Sequence, residues 1–119
     1  FKFCSNLLVV KNVLCNQQSF VKAHLCGVIL LKQTQIAGQA FQSCYNLYFV
    51  VIPRCRTIGD TAFRYCHALQ QVDCRSAIVI RKEAFHGCAR VSSCNCRKVQ
   101  QLETGAFAFN QSLLQIQFN

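Results

Sequence analysis

Apolar positions recur along this chain at an interval of 22. The dipeptide Ala-Phe stands at Ala40-Phe41, Ala62-Phe63, Ala84-Phe85 and Ala106-Phe107, each 22 residues beyond the last; Ala108-Phe109 is a further copy out of step. Counting back from Phe41, Phe20 and Phe1 extend the series at slightly shorter spacings. Measured from these phenylalanines, other columns fall into line. Three after come Cys4, Ala23, Cys44, Cys66, Cys88 and Asn110, and six after come Leu7, Cys26, Leu47, Leu69, Val91 and Leu113. Nine after come Val10, Ile29, Val50, Val72, Cys94 and Ile116, and eleven after come Asn12, Leu31, Ile52, Cys74, Cys96 and Phe118. Five before come Cys15, Ile36, Ile58, Ile80 and Leu102. A unit this short cannot bury its apolar side alone, so like residues are stacked over like and the columns merge into one interior. The alternation at Val50 and Ile52, closed by Pro53, predicts a strand in each rung. The stretch around the marker, such as Gly59 to Cys66, is too short for a full helix and predicts a single helical turn or an irregular arc on the outer side.

The run from Ile58 to Val72 reads Ile-Gly-Asp-x-Ala-Phe-x-x-Cys-x-x-Leu-x-x-Val, and it recurs with decay from Ile80 to Cys94 and from Leu102 to Ile116. It resembles the BspA-like leucine-rich repeat. The resemblance implies an α/β solenoid: a curved stack with one parallel β-sheet and short helical or irregular turns on the other face. On this reading residues 1–119 form a single segment of five to six rungs, marked by Phe1, Phe20, Phe41, Phe63, Phe85 and Phe107, cut from a longer array whose neighbouring repeats flank it. The family is similar to surface proteins of bacteria and protists implicated in adhesion and protein binding. The implied function is a non-catalytic protein-binding or cell-surface adhesion module. An intracellular interaction scaffold or an architectural spacer stands as the alternative. The chain departs from the family pattern in having proline only at Pro53 and cysteine at several aliphatic positions.

Ten cysteines in 119 residues would ordinarily suggest a disulfide scaffold. Their placement argues for core filling instead, since every one falls in a column expected to face inward, where a free thiol packs as a small hydrophobe. Free thiols lean towards a reducing, intracellular compartment, whereas the family resemblance leans towards the cell surface. Zinc is disfavoured by the lack of a Cys-x-x-Cys pair; only Cys94-x-Cys96 comes near.

Thirteen Lys and Arg against four Asp and Glu give a net charge of +9, which draws acidic partners. The basic residues form a series just after each strand: Lys11, Lys32, Arg54, Arg75 beside Ser76, and Lys98, widened by Arg56 and Arg97. Stacked at rung spacing they predict a basic edge ladder suited to an acidic glycan or other polyanion, or equally a solvated row that protects the sheet edge. Specific nucleic-acid binding is not expected, because ten of the thirteen aromatics are Phe, mostly interior markers, and only Phe3, Tyr45, Tyr48, Phe49 and Tyr65 are candidates for exposure. The outward strand positions, taken as eight and ten after the marker, are apolar early in the array and polar late. Val28, Leu30, Tyr48, Phe49 and Val51 therefore define a candidate protein-contact patch.

Catalysis needs converging titratable groups. The acids Asp60, Asp73, Glu83 and Glu103 and the histidines His24, His67 and His86 do not converge in sequence register, and Asp60 and Glu83 are expected to serve the first turn of the arc. No catalytic residue, metal ligand or cofactor site is expected, and no apolar run is long enough to span a bilayer as a helix.

Overall fold

A computed structural model describes residues 9–11, 19–110 and 115–117. Phe1, Phe3, Cys4 and Cys15 lie outside them. Three-residue strands β1 (Val9–Lys11), β2 (Gly27–Ile29), β4 (Phe49–Val51), β6 (Gln71–Asp73), β8 (Ser93–Asn95) and β10 (Gln115–Gln117) form a six-stranded parallel sheet in that order. Two-residue strands β3 (Gln35–Ile36), β5 (Thr57–Ile58), β7 (Val79–Ile80) and β9 (Gln101–Leu102) form a second parallel sheet of four. One sheet was expected; the shorter second ladder exists because Ile36, Ile58 and Ile80 stack in register and bring their backbones within pairing distance.

Between the sheets lies the core. Phe20, Phe41, Phe63, Phe85 and Phe107 form a continuous stack with ring centroids 5.2 to 5.3 Å apart and planes within 7° of parallel. Ala40, Ala62 and Ala84 pack beside them, and Leu47, Leu69 and Val91 close the strand side, all fully buried. Alanine precedes Phe41, Phe63, Phe85 and Phe107, because a bulkier residue would have to share the rung's narrow interior with the ring; Ser19 stands there before Phe20.

The outer arc is not helical. Rungs stacked about 5 Å apart leave no room for helices about 10 Å across. Instead two residues of each arc take left-handed backbone: Gln39, Thr61, Glu83 and Gly105 two before the marker, and Lys22, Ser43, Tyr65, Gly87 and Phe109 two after it. Every second N–H across this stretch points to the next rung, as Phe41 N to Ala62 O at 2.8 Å and Ser43 N to Arg64 O at 2.7 Å. The intervening N–H groups close locally, as Gln42 N to Gln39 O at 3.2 Å. In the rungs of Phe41, Phe63 and Phe85 the backbone donors from two before to three after the marker are thereby paired without a helix.

The cysteine three after the marker has a defined task. Its Sγ–H donates to the carbonyl of the Phe one rung earlier: Cys44 to Phe20 O at 3.1 Å, Cys66 to Phe41 O at 3.2 Å and Cys88 to Phe63 O at 3.1 Å. Cys44, Cys55, Cys66, Cys74, Cys88, Cys94 and Cys96 are free and buried, as their columns predict. Cys26 departs from the expectation of free thiols throughout: it is buried and disulfide-bonded.

Candidate binding surfaces

Each rung turns outward immediately after its strand in the larger sheet, and this turn carries the cations. Lys32, Arg54, Arg56, Arg75, Arg97 and Lys98 are all exposed, and Lys32, Arg54 and Lys98 occupy equivalent places on their rungs, with half-buried Ser76 between the last two; Lys11, expected in the same row, is exposed but falls inside β1, opposite Ile29. The described ion pairs are Arg75–Asp73, Arg64–Glu83 and Arg81–Glu103. Asp73 grips Arg75 with both oxygens, at 3.1 and 2.5 Å, and raises the pKa of its guanidinium by that bonding. Lys32, Arg54, Arg56 and Lys98 have no carboxylate partner among the described residues. Like charges at rung spacing repel by roughly 1 kcal/mol per pair in water, a cost that an anion laid along the edge relieves.

The proposed apolar patch needs a correction. Val28 pairs in register with Val50, and Val28 and Leu30 are wholly buried core residues. Ile29, read as inward, faces out half-exposed, and Leu31 is 46% exposed. The second rung is one residue shorter than its successors, and the gap falls between Ala23 and Leu25, before the strand. Leu25, not Cys26, fills the column of Leu47, and a one-residue slip turns every strand side chain over. Of the remaining patch residues Tyr48 and Val51 are half-buried, while Phe49 is only 5% exposed. The tip of its ring occupies the space beside Gly27, where an added Cβ would meet Cζ at 2.1 Å, so only glycine leaves room for the ring. The outer sheet face thus runs from apolar Ile29 and Val51 to polar Gln71, Asp73, Ser93 and Asn95, over a shallow groove of about 310 Å³.

Sequence reasoning missed a third surface. At the corner between arc and sheet, Tyr45 stacks on His67 at 5.3 Å, and His67 meets Tyr65 at 5.9 Å. Tyr65 meets His86 edge-on at 5.6 Å, and His86 meets Phe109 at 5.1 Å. Arg64 lies 4.6 Å over the Tyr65 ring, donates to Tyr65 Oη at 2.9 Å, and pairs with Glu83 at 3.5 Å. His67 and His86 thus share Tyr65 as a ring neighbour, while His24 pairs with Asn46. The available signal was the pair of columns two and four after the marker, which hold Tyr65, Phe109, Tyr45 and His67. Asp60 and Glu83 serve no helix; Glu83 holds Arg64 instead.

A second groove of about 730 Å³ runs along the smaller sheet past Gln39, Asp60, Thr61, Lys82 and Glu83. Among the described residues no group of three or more His, Cys, Asp or Glu is placed to hold a metal ion, and no helix is long and apolar enough to cross a membrane.

Parallel rungs around a phenylalanine stack define a solenoid of the leucine-rich-repeat kind. The BspA type leucine rich repeat region matches residues 16–119 in six copies, and the chain belongs to that family. No curated protein sequence matches it. Among solved structures it is similar to the pneumococcal vaccine antigen PcpA, with a TM-score of 0.71 at 18% identity over 93% of this chain and 30% of that one. It is also similar to the Treponema pallidum (T. pallidum) leucine rich repeat protein TpLRR, with a TM-score of 0.60 at 22% identity over 76% of this chain and 57% of that one. A leucine rich cell surface protein of Faecalibacterium prausnitzii gives a TM-score of 0.56 at 19% identity over 98% of this chain and 41% of that one. At these identities the likeness is one of fold, and the chain spans well under two thirds of each relative.

Proposed function

We propose that this chain is a non-catalytic binding segment of an adhesion or surface protein, taking a polyanion such as an acidic glycan along its basic edge and a protein on its sheet face. The reading rests on one observation: Lys32, Arg54 and Lys98 stand exposed at equivalent places on their rungs with no carboxylate among the described residues to neutralise them. A linear polyanion offers charges at intervals that such a row can follow, and it dissociates as salt rises. One structural relative is described as a cell surface protein and another as a vaccine antigen, and the proposal extends that placement to this chain. The disulfide at Cys26 favours an oxidising compartment, and the free thiols, being buried, do not require a reducing one. The segment is read as one stretch of five to six rungs within a longer repeat array.

The test is retention on immobilised heparin across a salt gradient. The wild-type chain is expected to elute late, and the variant carrying Lys32→Glu, Arg54→Glu and Lys98→Glu at markedly lower salt. Equal retention of the two refutes the ladder as a binding edge.

A further inference from the structure

The ridge formed by Tyr45, His67, Tyr65, His86 and Phe109 takes no part in the basic edge. It lies at the corner between arc and sheet, whereas the ladder follows the strands. Its construction costs the chain something. Tyr65 and Phe109 adopt left-handed backbone, with φ of 63° and 61°, at the arc position that Gly87 fills one rung after Tyr65. Bulky side chains are rare there. Gly87 in turn leaves the space that the Tyr65 ring occupies, since a Cβ on Gly87 would meet that ring at 2.8 Å. Phe109 is 73% exposed and Tyr45 52%, so their apolar faces and edges are open to solvent.

The polar groups on the ridge are donors. Arg64 donates to Tyr65 Oη, which leaves the phenol proton to point elsewhere. His86 Nδ1 is buried with no hydrogen-bond partner among the described residues. Tyr45 and Tyr65 face His67, and Tyr65 and Phe109 face His86. Arg64 holds the place of His86 one rung earlier, and Glu83, paired to Arg64, is the carboxylate of this neighbourhood. His24 joins the far side through Asn46 Nδ2, 3.4 Å from His24 Nδ1. With the Arg64 guanidinium held by Tyr65 Oη and Glu83, the surface therefore combines the exposed rings of Tyr45 and Phe109 with phenol and imidazole donors. Those are the two things an acidic saccharide needs: an apolar platform for the C–H face of a pyranose, and donors for its carboxylate or sulfate.

We propose that this ridge is a second binding surface, for an acidic saccharide, and that its grip tightens as His67 and His86 take up protons. The inference deepens the polyanion reading above but uses different residues, and the two can fail separately. An imidazolium–anion hydrogen bond is stronger than its neutral counterpart by enough to raise affinity about tenfold. The ladder's lysines and arginines keep their charge throughout the same range.

The experiment measures binding of a short heparin-derived oligosaccharide by calorimetry at about pH 7.5 and about pH 5.5, across the histidine range. Four proteins are compared: wild type, the ladder variant with Lys32→Glu, Arg54→Glu and Lys98→Glu, a variant with His67→Gln and His86→Gln, and Tyr45→Ala. Binding at the lower pH is expected to be about tenfold tighter in wild type, and that gain is expected to persist in the ladder variant. The histidine variant and Tyr45→Ala are expected to lose the gain while keeping their heparin retention at neutral pH. Tyr45 and His67 are exposed and His86 is half-buried, so these variants are expected to fold, which melting curves check. The proposal is overturned if acid brings no gain in wild type, or if the gain survives in the histidine variant. It is overturned equally if the oligosaccharide leaves the NMR signals of the His67 and His86 rings unmoved at the lower pH. A ladder variant indistinguishable from wild type at neutral pH sinks the basic-edge reading and leaves the ridge standing.

Discussion

Replacing Phe63 with alanine tests the stacked interior at its centre. The ring is fully buried and has a neighbour on each side: Phe41 at 5.3 Å and 4°, Phe85 at 5.3 Å and 5°. Truncating a buried phenylalanine costs about 3–5 kcal/mol through lost transfer energy and the cavity left behind. Each broken ring contact is worth a further 0.5–1.5 kcal/mol or so in a double-mutant cycle. Domains of this size hold about 5–15 kcal/mol in all, so Phe63→Ala removes a large share and is expected to lower Tm by about 10–20 °C. Phe63→Leu keeps most of the volume and is expected to cost about 1–2 kcal/mol. Urea unfolding followed by circular dichroism gives the energies. A cycle combining Phe63→Leu with Phe85→Leu is expected to show coupling of about 0.5–1.5 kcal/mol. Phe109→Ala, at an exposed ring, serves as the comparison and is expected to shift stability by about 0.5 kcal/mol or less. If Phe63→Ala melts within a few degrees of wild type, or no lower than Phe109→Ala, the interior is not built as described.

Cys66→Ser keeps a donor for the Phe41 carbonyl, whereas Cys66→Val removes it; urea titrations are expected to show the valine variant less stable than wild type by about 1–2 kcal/mol and the serine variant less affected. Burial pushes the Cys55 thiol up to about 12 from its usual 9.0. The unfolded chain therefore loses that proton first. The group's contribution is complete below about pH 9 and erodes as pH climbs towards 12, at up to about 1.4 kcal/mol per unit. The urea midpoint is expected to fall between pH 9 and 11 or so, and less steeply in Cys55→Ala; parallel slopes would rule the linkage out. Thr61 is a β-branched residue at φ 54°, so Thr61→Gly is expected to raise stability by about 1 kcal/mol, seen as a higher Tm, despite glycine's greater freedom when unfolded.

The interior was legible in the sequence because stacking demands sameness: Ala40, Ala62 and Ala84, or Cys44, Cys66 and Cys88, can lie over one another only by recurring at one spacing. The second rung was not legible. Leu25 and Cys26 are both apolar, as are Val28 and Ile29, so hydrophobicity alone does not say where the missing residue falls. The pairing of Val28 with Val50 says it at once. The sequence leaves the arc open between a helical turn and an irregular one for a different reason. Lys22, Ser43, Tyr65, Gly87 and Phe109 share a left-handed backbone and almost no chemistry, so nothing in composition announces it. The basic residues were placed correctly as exposed, since a lysine after a strand has nowhere else to go. The aromatic ridge escaped because its contacts run diagonally between rungs, from Tyr65 to His86 and from His86 to Phe109, and columns read one at a time do not reveal diagonals.

From two residues before each marker to two after it, every backbone hydrogen bond to a neighbouring rung has its N–H on the earlier rung and its carbonyl on the later one. Peptide dipoles in this column consequently add instead of cancelling as they do across a sheet. A rung inserted or deleted anywhere in such an array meets the same donors below and the same acceptors above. Its length can drift by whole units over evolutionary time, while the polarity of the stack stays constant.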